Sequence, residues 1–585
     1  MSIETTIARA ELDAKSGRID RAIDALRLAL RLKPNHPQAT GVLGRLLVQA
    51  GRLDEAERLL ARLVQGAPAV PDYRNNLANV LAAADRPEDA AAQWRRAIDL
   101  DANFLPAYFG LCEMLVRLGR PGDALEVAAR GLSIAPDFAE LAFARVGALE
   151  TAGRVDEAAD ALGRLIEAHP REPMLAARRL VLLNYLPRER AVLTAALADY
   201  ASGLAKPGSR SPIAGPDPDR PLRLGILSGD LRTHSVAYFA EALLRDPPPG
   251  TAWVAFSTSP AAAGDELSQR LRRHFDTWIE AGPLDDAALA RSIREQRIDV
   301  LVELSGHFGG NRLSALSSRP APVVLTAIGY PASTGHPAID WRLVDSITDP
   351  PGSEGDCLER LLRLDPCFLC YTPPASAPAP SMPEEGDPIT FGSFNLATKI
   401  SEPTVRLWSA VLAAVPGSRL LVKSRGLDEE ATRARLLARF EQAGVARDRL
   451  DLVGWTPDLE SHLSLYHRVH VALDTTPYSG TTTTCEALWM GVPVVTLLGE
   501  MHRSRVSASL LAAAGLSDLV ASDPSDFVRI ARELAGDRAR LVAHRVSARA
   551  RLAASPLLDG EAYSRRVHAA IRQCWKRACA EFGNG

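Results

Sequence analysis

Val469-His470-Val471-Ala472-Leu473 leads straight into Asp474-Thr475-Thr476-Pro477-Tyr478-Ser479-Gly480-Thr481-Thr482-Thr483-Thr484-Cys485-Glu486-Ala487-Leu488-Trp489. The first five residues read as an apolar strand, the Pro/Gly stretch as a turn, and the threonines onward as the start of a helix. A strand feeding a helix through a tight turn is the unit of a parallel α/β sheet. Four hydroxyls and the free N–H groups of a first helical turn gather at one point, where the helix dipole favours a diphosphate. Glu486 is expected in that first turn, where it would face a ribose. A capped helix whose threonines serve only the turn is the competing reading of this segment alone.

Outward from this stretch, strands and helices alternate. Leu222–Ser228, Trp253–Phe256, Ile298–Leu304 and Val323–Ile328 read as one set of strands, and Ile389–Phe394, Arg419–Val422, Leu450–Val453, Val469–Leu473 and Pro493–Leu497 as a second. The pattern predicts two Rossmann-like halves with parallel sheets covered on both faces, divided between residues 371 and 388, where prolines cluster. Ligands of such sheets bind beyond the carboxyl ends of the strands. The loop Gly229-Asp230-Leu231-Arg232-Thr233-His234-Ser235 after the first strand is therefore a candidate site, as is Ser305-Gly306-His307-Phe308-Gly309-Gly310, whose glycines allow close backbone approach. His234 could instead simply cap the next helix. No G-x-G-x-x-G follows the first strand and no P-loop lysine motif occurs, which disfavours an NAD enzyme. Without a metal, a leaving phosphate has to be neutralised by a lysine or arginine and by a helix N-terminus.

The N-terminal third is self-similar. Gly17-Arg18, Gly51-Arg52, Asp85-Arg86, Gly119-Arg120 and Gly153-Arg154 recur every 34 residues, as do Ala22, Ala56, Ala90, Ala124 and Ala158. Pro34, Pro68, Pro136 and Pro170 keep the same register, with Ala102 in the remaining slot. This is the tetratricopeptide period, two helices per unit. The glycine or aspartate ends the first helix, the alanine lets the two helices approach, and the proline closes the second. About five units fit between Leu12 and Pro170, followed by a capping helix over Glu172–Tyr185. Stacked pairs build a superhelix suited to an extended peptide, so the array is expected to bind protein; a passive scaffold is the plainer reading.

Length predicts about three or four domains. The expected division is a repeat array over residues 1–185, a Pro/Gly/Ser-rich linker over 186–221, a first lobe over 222–380, a second over 381–555 and a C-terminal helix over 556–585. A net charge of -3 offers no electrostatic case for nucleic acid or an acidic membrane. Residues 1–20 carry charges and no apolar core, so no secretory signal is expected and the protein reads as cytoplasmic. Seven scattered cysteines argue against a disulfide framework, and Cys367-Phe368-Leu369-Cys370 reads as a buried, inert pair. Asp99-Leu100-Asp101 ends a repeat helix, away from the strands. No metal site and no cofactor are expected. The Ala- and Arg-rich, Lys-poor composition points to a bacterial source.

Ser228–His234, Arg319-Pro320-Ala321-Pro322, Ile328-Gly329-Tyr330-Pro331, Phe394-Asn395-Leu396-Ala397-Thr398-Lys399 and Leu473–Glu486, in that order, resemble the O-GlcNAc transferase family. The similarity covers essentially the whole chain. The Gly-Thr-Thr-Thr-Thr-Cys-Glu form resembles its SPINDLY-type and bacterial members more than the animal enzymes. The resemblance implies an all-α tetratricopeptide superhelix followed by two Rossmann-like lobes of a glycosyltransferase-B fold. The reaction it implies is inverting, metal-independent transfer of a sugar to a Ser or Thr hydroxyl of an acceptor protein. UDP-GlcNAc is the first choice of donor, as a co-substrate and not a cofactor. It also implies catalytic roles for His234 and Lys399. Donor contacts are implied for Asn395, Lys399, His462, Gly480, Thr481, Thr482, Thr483 and Glu486, with His307 and Tyr330 as acceptor-side candidates.

Departures from the animal enzymes fall on the donor side. Leu396 replaces a glutamine, Thr481 a histidine and Glu486 an aspartate, and Arg291 stands where an aspartate is proposed for proton relay. They keep a GDP-fucose or nonulosonic-acid donor open. The same motifs are also compatible with a non-catalytic nucleotide-sugar sensor, and with a small-molecule glycosyltransferase or epimerase on the same plan. The expected partner is an acceptor protein held by the repeats, flagellin or another surface protein being an example, and pairing of arrays into a homodimer is compatible with the sequence.

Overall fold

The computed structural model describes residues 2–16, 18–34, 36–211, 217–259 and 265–583. Contacts divide the chain into two compact units, one of Met1–Ala168 with Asp428–Arg433 and one of His169–Leu427 with Ala434–Gly585.

The first unit contains five helix pairs. They are Ile3–Lys15 with Ile19–Leu32, Pro37–Gln49 with Leu53–Gly66, Pro71–Ala83 with Pro87–Leu100, Leu105–Arg117 with Pro121–Ile134, and Ala139–Thr151 with Val155–Ala168. The residues that recur at the turns have positive φ: 71° at Gly51, 58° at Asp85, 71° at Gly119 and 68° at Gly153. Glycine reaches that region without strain and aspartate tolerates it better than most, which is why those residue types recur. Gly17, the first of the series, lies outside the described residues. Ala22, Ala56, Ala90, Ala124 and Ala158 are all fully buried where paired helices meet. Pro34, Pro68, Pro136 and Pro170 each follow the second helix of a pair by two residues.

The second unit opens with helices Pro173–Tyr185 and Arg190–Gly203. The first was expected to cap the repeats; its contacts assign it here, with Leu180 to Tyr185 all buried. The second falls inside the stretch expected to be linker. Its run of alanines and leucines favours helix, and Ala196 and Tyr200 are buried, so the extended segment begins only at Leu204. Residues 212–216 of that linker lie outside the described residues.

Thirteen strands are described: β1 Arg223–Ser228, β2 Ala252–Ser257, β3 Thr277–Glu280, β4 Val300–Glu303, β5 Val323–Thr326, β6 Trp341–Val344, β7 Arg360–Arg363, β8 Thr390–Ser393, β9 Arg419–Lys423, β10 Leu450–Val453, β11 Val471–Leu473, β12 Val494–Leu497 and β13 Val520–Ala521. The first sheet has the order β3-β2-β1-β4-β5-β6-β7, the second β10-β9-β8-β11-β12-β13, and every pairing is parallel. The order in which successive strands are added reverses once in each sheet, between β1 and β4 and between β8 and β11. Those switch points are where crevices open at the strands' carboxyl ends.

Helix Gly560–Gly583 returns to the first sheet. Tyr563, Val567, Ile571 and Trp575 join Ile226 and Val302 in one buried cluster, and the Tyr563 hydroxyl donates to the Phe368 carbonyl at 2.8 Å. No helix of the described residues is long and apolar enough to cross a membrane. Cys367 and Cys370 are unpaired and buried, and burial pushes both thiols up to about 12, which leaves them unreactive.

The buried alanines set the helix spacing of the repeats. Ala124→Leu is expected to destabilise the array by about 1–3 kcal/mol through overpacking. Urea unfolding followed by helical ellipticity measures this, and an unchanged transition would show that the spacing is adjustable.

Candidate functional site

The loop after β11 is shaped by one carboxylate. Asp474 Oδ1 accepts from the Thr475 N–H at 2.8 Å and from the Gly480 N–H at 2.7 Å, while Oδ2 accepts from Thr496 Oγ1 at 2.7 Å. The chain is thereby folded back so that helix Thr482–Trp489 starts beside β11. A side chain at residue 480 would put its Cβ 2.5 Å from Thr484 Oγ1 and 2.9 Å from Thr483 Oγ1, so only glycine fits. The threonines divide their roles. Thr484 is buried and bonded to Ser507 Oγ at 2.9 Å, whereas Thr481, Thr482 and Thr483 line an open cleft. The amides of Thr482 and Thr483 find no acceptor among the described residues, as first-turn amides do unless capped.

Lys399 meets this loop from β8. The chain leaves that strand through Asn395, whose Oδ1 accepts from Thr483 Oγ1 at 3.1 Å, and a 3₁₀ turn at Ala397–Lys399 aims the lysine inward. Its Nζ donates to the Ser479 carbonyl at 2.9 Å and lies 3.8 Å from the centre of the Tyr478 ring. Burial pushes the ammonium down to about 8, with Asp474 opposing the shift. An ammonium has three N–H donors, so two remain for a ligand. A buried cation, three hydroxyls and two open amides make an anion site suited to a diphosphate.

Glu486 lies just past the first turn of its helix, not within it. Its Oε2 is 3.1 Å from His462 Nε2. His462 stands between the rings of Phe394 and Tyr466, at 5.7 and 6.1 Å, and its Nδ1 is buried without a partner. Both residues line the cleft. The carboxylate is a polar group placed for the nucleoside end of a ligand, whereas the unmatched nitrogen is sealed off from it.

The first lobe supplies the opposite wall. The loop after β1 carries Asp230, buried and fastened by its N–H to Ser228 Oγ at 3.0 Å. His234 Nδ1 lies 3.4 Å from Asp230 Oδ1 and accepts from the Val236 N–H at 3.3 Å. Burial holds the imidazole below its ordinary range despite Asp230, and burial raises Asp230. With Nδ1 accepting from Val236 the neutral ring carries its proton on Nε2; taking a proton at Nε2 requires the other tautomer, with Nδ1–H turned to Asp230. The loop after β4 is organised by Glu303, which accepts from the Gly306 N–H at 2.7 Å and from Thr326 Oγ1 at 3.1 Å; burial raises this carboxyl to about 7. The result presents Phe308, Gly309 and Gly310 to the cleft.

The cleft has a volume of about 790 Å³ and is walled by the loops after β1, β4, β8 and β11, the two switch points facing one another. His234, Asn395, Lys399, His462, Thr481, Thr482, Thr483 and Glu486 all line it, with Gly480 in the turn behind them. His307 and Tyr330 do not, which corrects their acceptor-side placement. His307 is buried with Nε2 bonded to the Thr334 carbonyl at 2.7 Å and packed between Tyr200 and Tyr330; burial lowers it to about 4. The Tyr330 hydroxyl accepts from Asn184 Nδ2 at 3.0 Å. Both prop the wall from behind, and Gly309, Gly310 and Gly329 line the cleft in their place. Arg291 is exposed on helix Asp286–Glu295, away from the cleft. Among the described residues no three His, Cys, Asp or Glu side chains form a metal-holding group.

Sequence reasoning missed Tyr185, Tyr478, His502 and the part played by Asp230. Tyr478 was legible as an aromatic residue between the strand and the threonines. Tyr185 was not: it enters from the helix before the linker and packs 5.3 Å from Tyr478.

Holding Lys399 charged in this setting costs stability. Since its folded pKa lies below the unfolded 10.5, the unfolded chain binds the extra proton between about 8 and 10.5, and stability rises with pH across that window. Lys399→Met is expected to remove this rise. Melting temperatures of the two proteins from pH 7 to 10.5 test it, and parallel curves would contradict the buried charge.

The profile of glycosyl transferase family 41 matches residues 174–370 and 379–567, and tetratricopeptide-repeat profiles match 14–80, 75–137 and 115–173. A mutant of Thermobaculum terrenum O-GlcNAc transferase is similar in structure, with a TM-score of 0.73 and 32% identity over 93% of this chain and 98% of that one. Arabidopsis thaliana SPINDLY, named a probable UDP-N-acetylglucosamine–peptide N-acetylglucosaminyltransferase, is 40% identical over 369 residues, 62% of this chain and 40% of the plant protein. Arabidopsis thaliana SEC, named likewise, is 26% identical over 373 residues, 61% of this chain and 38% of its own. The chain thus spans about 40% of the length of these plant relatives. With the family profile covering both lobes and the cleft between them, the chain belongs to glycosyl transferase family 41.

Proposed function

We propose that the chain is an inverting protein O-glycosyltransferase that moves a sugar, GlcNAc from UDP-GlcNAc, to Ser or Thr of an acceptor protein. The observation that carries this reading is the buried Lys399 ammonium set against the threonine loop, with a neutral histidine on the opposite wall of one cleft. The names of the relatives supply the sugar and the peptide acceptor. In this scheme the acceptor hydroxyl attacks the anomeric carbon from the face opposite the diphosphate, and its proton passes to Nε2 of His234 in the tautomer whose Nδ1–H is directed to Asp230. The bond to the diphosphate oxygen breaks as Lys399 and the Thr481–Thr483 hydroxyls and amides take up the developing charge. That cradle supplies what a metal ion supplies elsewhere, so the nucleotide sugar is proposed as co-substrate with no added cofactor.

The repeat unit is proposed to hold the acceptor protein. Hollows on it are lined by residues such as Gln38, Arg45, Tyr73, Asn76 and Asn79, which mix apolar surface with amide groups suited to a peptide backbone. Flagellin or another surface protein is the proposed acceptor class, and self-association of the array into a homodimer belongs to the same proposal. The reaction is placed in the cytoplasm, in keeping with seven unpaired cysteines.

Lys399→Ala is expected to lower transfer of labelled GlcNAc by about 10²–10³-fold, the usual loss for one charge-stabilising donor. A fully active variant would refute the lysine's role. A thermal-shift series with UDP-, GDP- and CMP-linked sugars ranks donors directly, with UDP-GlcNAc expected to give the largest shift. Affinity for UDP is expected to be full below pH 8 and to fall as pH rises through about 8, where the free enzyme's Lys399 loses its proton. A pH-independent affinity would mean that some other group holds the diphosphate.

A further inference from the structure

The cleft holds a third histidine, besides His234 and His462, to which the scheme above gives no role. His502 follows β12 in a 3₁₀ turn, His502–Ser504, and its side chain is only 5% exposed. Nδ1 is hydrogen-bonded to Asp349 Oδ2, and Asp349 is met by Arg342 at 3.4 Å. Phe368 stands edge-on to the ring at 5.1 Å. His502 nevertheless lines the cleft beside Phe368 and Val506. Its Nε2 bonds to no described residue and is not among the sealed polar atoms, so the edge opposite Asp349 faces the cavity.

Position and protonation state narrow the ligand. Ser479, whose carbonyl receives Lys399 Nζ, donates its N–H at 2.9 Å and its Oγ at 3.1 Å to the carbonyl of Arg503, the next residue. His502 is thus tied to the diphosphate cradle. Burial holds its imidazole below the ordinary range, Arg342 adding to this and Asp349 opposing it. Asp349, though buried, is kept below the usual carboxylate range by His502 and Arg342. Asp345 is the other carboxylate facing the ring. The pair is a neutral imidazole donating Nδ1–H to a carboxylate, which leaves a lone pair on Nε2. A lone pair repels phosphate oxygens and accepts from hydroxyls.

We propose that His502 Nε2 accepts a hydrogen bond from a hydroxyl of the transferred sugar, with Asp349 as the positioning residue that fixes its tautomer. This rests on the glycosyltransferase reading of the cleft. It makes His502 a specificity residue, since a buried acceptor left unmatched discriminates against sugars that lack the hydroxyl.

His502→Asn separates the two edges of the ring, because an asparagine amide replaces Nδ1 against Asp349 and has no counterpart of Nε2. Calorimetric titration with UDP, UDP-GlcNAc and single-deoxy analogues of the sugar is the test. The variant is expected to bind UDP as the unsubstituted protein does and UDP-GlcNAc about tenfold more weakly. One deoxy analogue, weakened on the unsubstituted protein, should show no further loss on the variant. Equal UDP-GlcNAc affinity in both proteins, or an equal loss for UDP, overturns the proposal. If the variant does not fold, the unsubstituted protein decides: uniform affinity across the deoxy series overturns the proposal, and one hydroxyl worth about tenfold upholds it. Nitrogen NMR should find the His502 ring neutral and protonated at Nδ1; an Nε2–H tautomer overturns the assignment. A protein that binds neither UDP nor UDP-GlcNAc before substitution overturns the glycosyltransferase reading, and this inference with it.

Discussion

An ammonium group removed from water and offered one carbonyl and one aromatic face is under-compensated. Lys399 is in that position: Ser479 and Tyr478 are its partners, and it forms no ion pair among the described residues. The surrounding chain is arranged around this deficit. Asp474 stops short of the ammonium because its two oxygens are committed to Gly480, Thr475 and Thr496. It lends a favourable field without a contact. A carboxylate that closed on Lys399 would quench the charge and occupy the place of the diphosphate, so the spacing keeps the site open at the expense of stability, as functional sites commonly do.

The cradle works only if the two lobes keep their crevices facing one another, and a seam of polar contacts between them does this. Residues 345–349, after β6, receive Ser509 Oγ at Asp345, Arg505 Nε at the Ile347 carbonyl and His502 at Asp349. Arg503 reaches back to the carbonyls of Leu183 and Arg188. On the other side the Tyr371 N–H donates to the Leu557 carbonyl just before the C-terminal helix crosses to the first sheet. Directional bonds between buried groups define register more sharply than apolar contact does, because a mismatch strands a polar atom. The segment 502–509 serves twice, lining the cleft and locking the seam.

What was legible in the sequence follows from how strongly each signal is constrained. The repeat turns were readable because positive φ admits few residue types, so Gly51, Asp85, Gly119 and Gly153 mark them directly. The central strands β1, β4, β8 and β11 are buried on both faces and read as apolar runs. Strands β3, β7 and β13 lie at sheet edges and β6 next to one; Thr277–Glu280 and Arg360–Arg363 mix charge with apolar residues and give no such run. The threonines were found because local chain logic places them at a strand end, whereas Lys399 was singled out by the family resemblance. His307 and Tyr330 were misplaced because the same logic locates a loop but not the direction in which each side chain turns. Asp349 and His502 lie 153 positions apart, and nothing local in either segment announces their pairing.

Burial acts in one direction on the two groups proposed to react. It lowers the proton affinity of both, which keeps His234 neutral and erodes the charge of Lys399. In the proposed reaction Lys399 would therefore be the weaker of the two groups near the alkaline end of neutrality. A diphosphate in the proposed site would raise the lysine's proton affinity by direct contact, and that of His234 on the opposite wall by less, because the effect falls with distance. In the proposed reaction the donor would thus strengthen its own clamp as it binds.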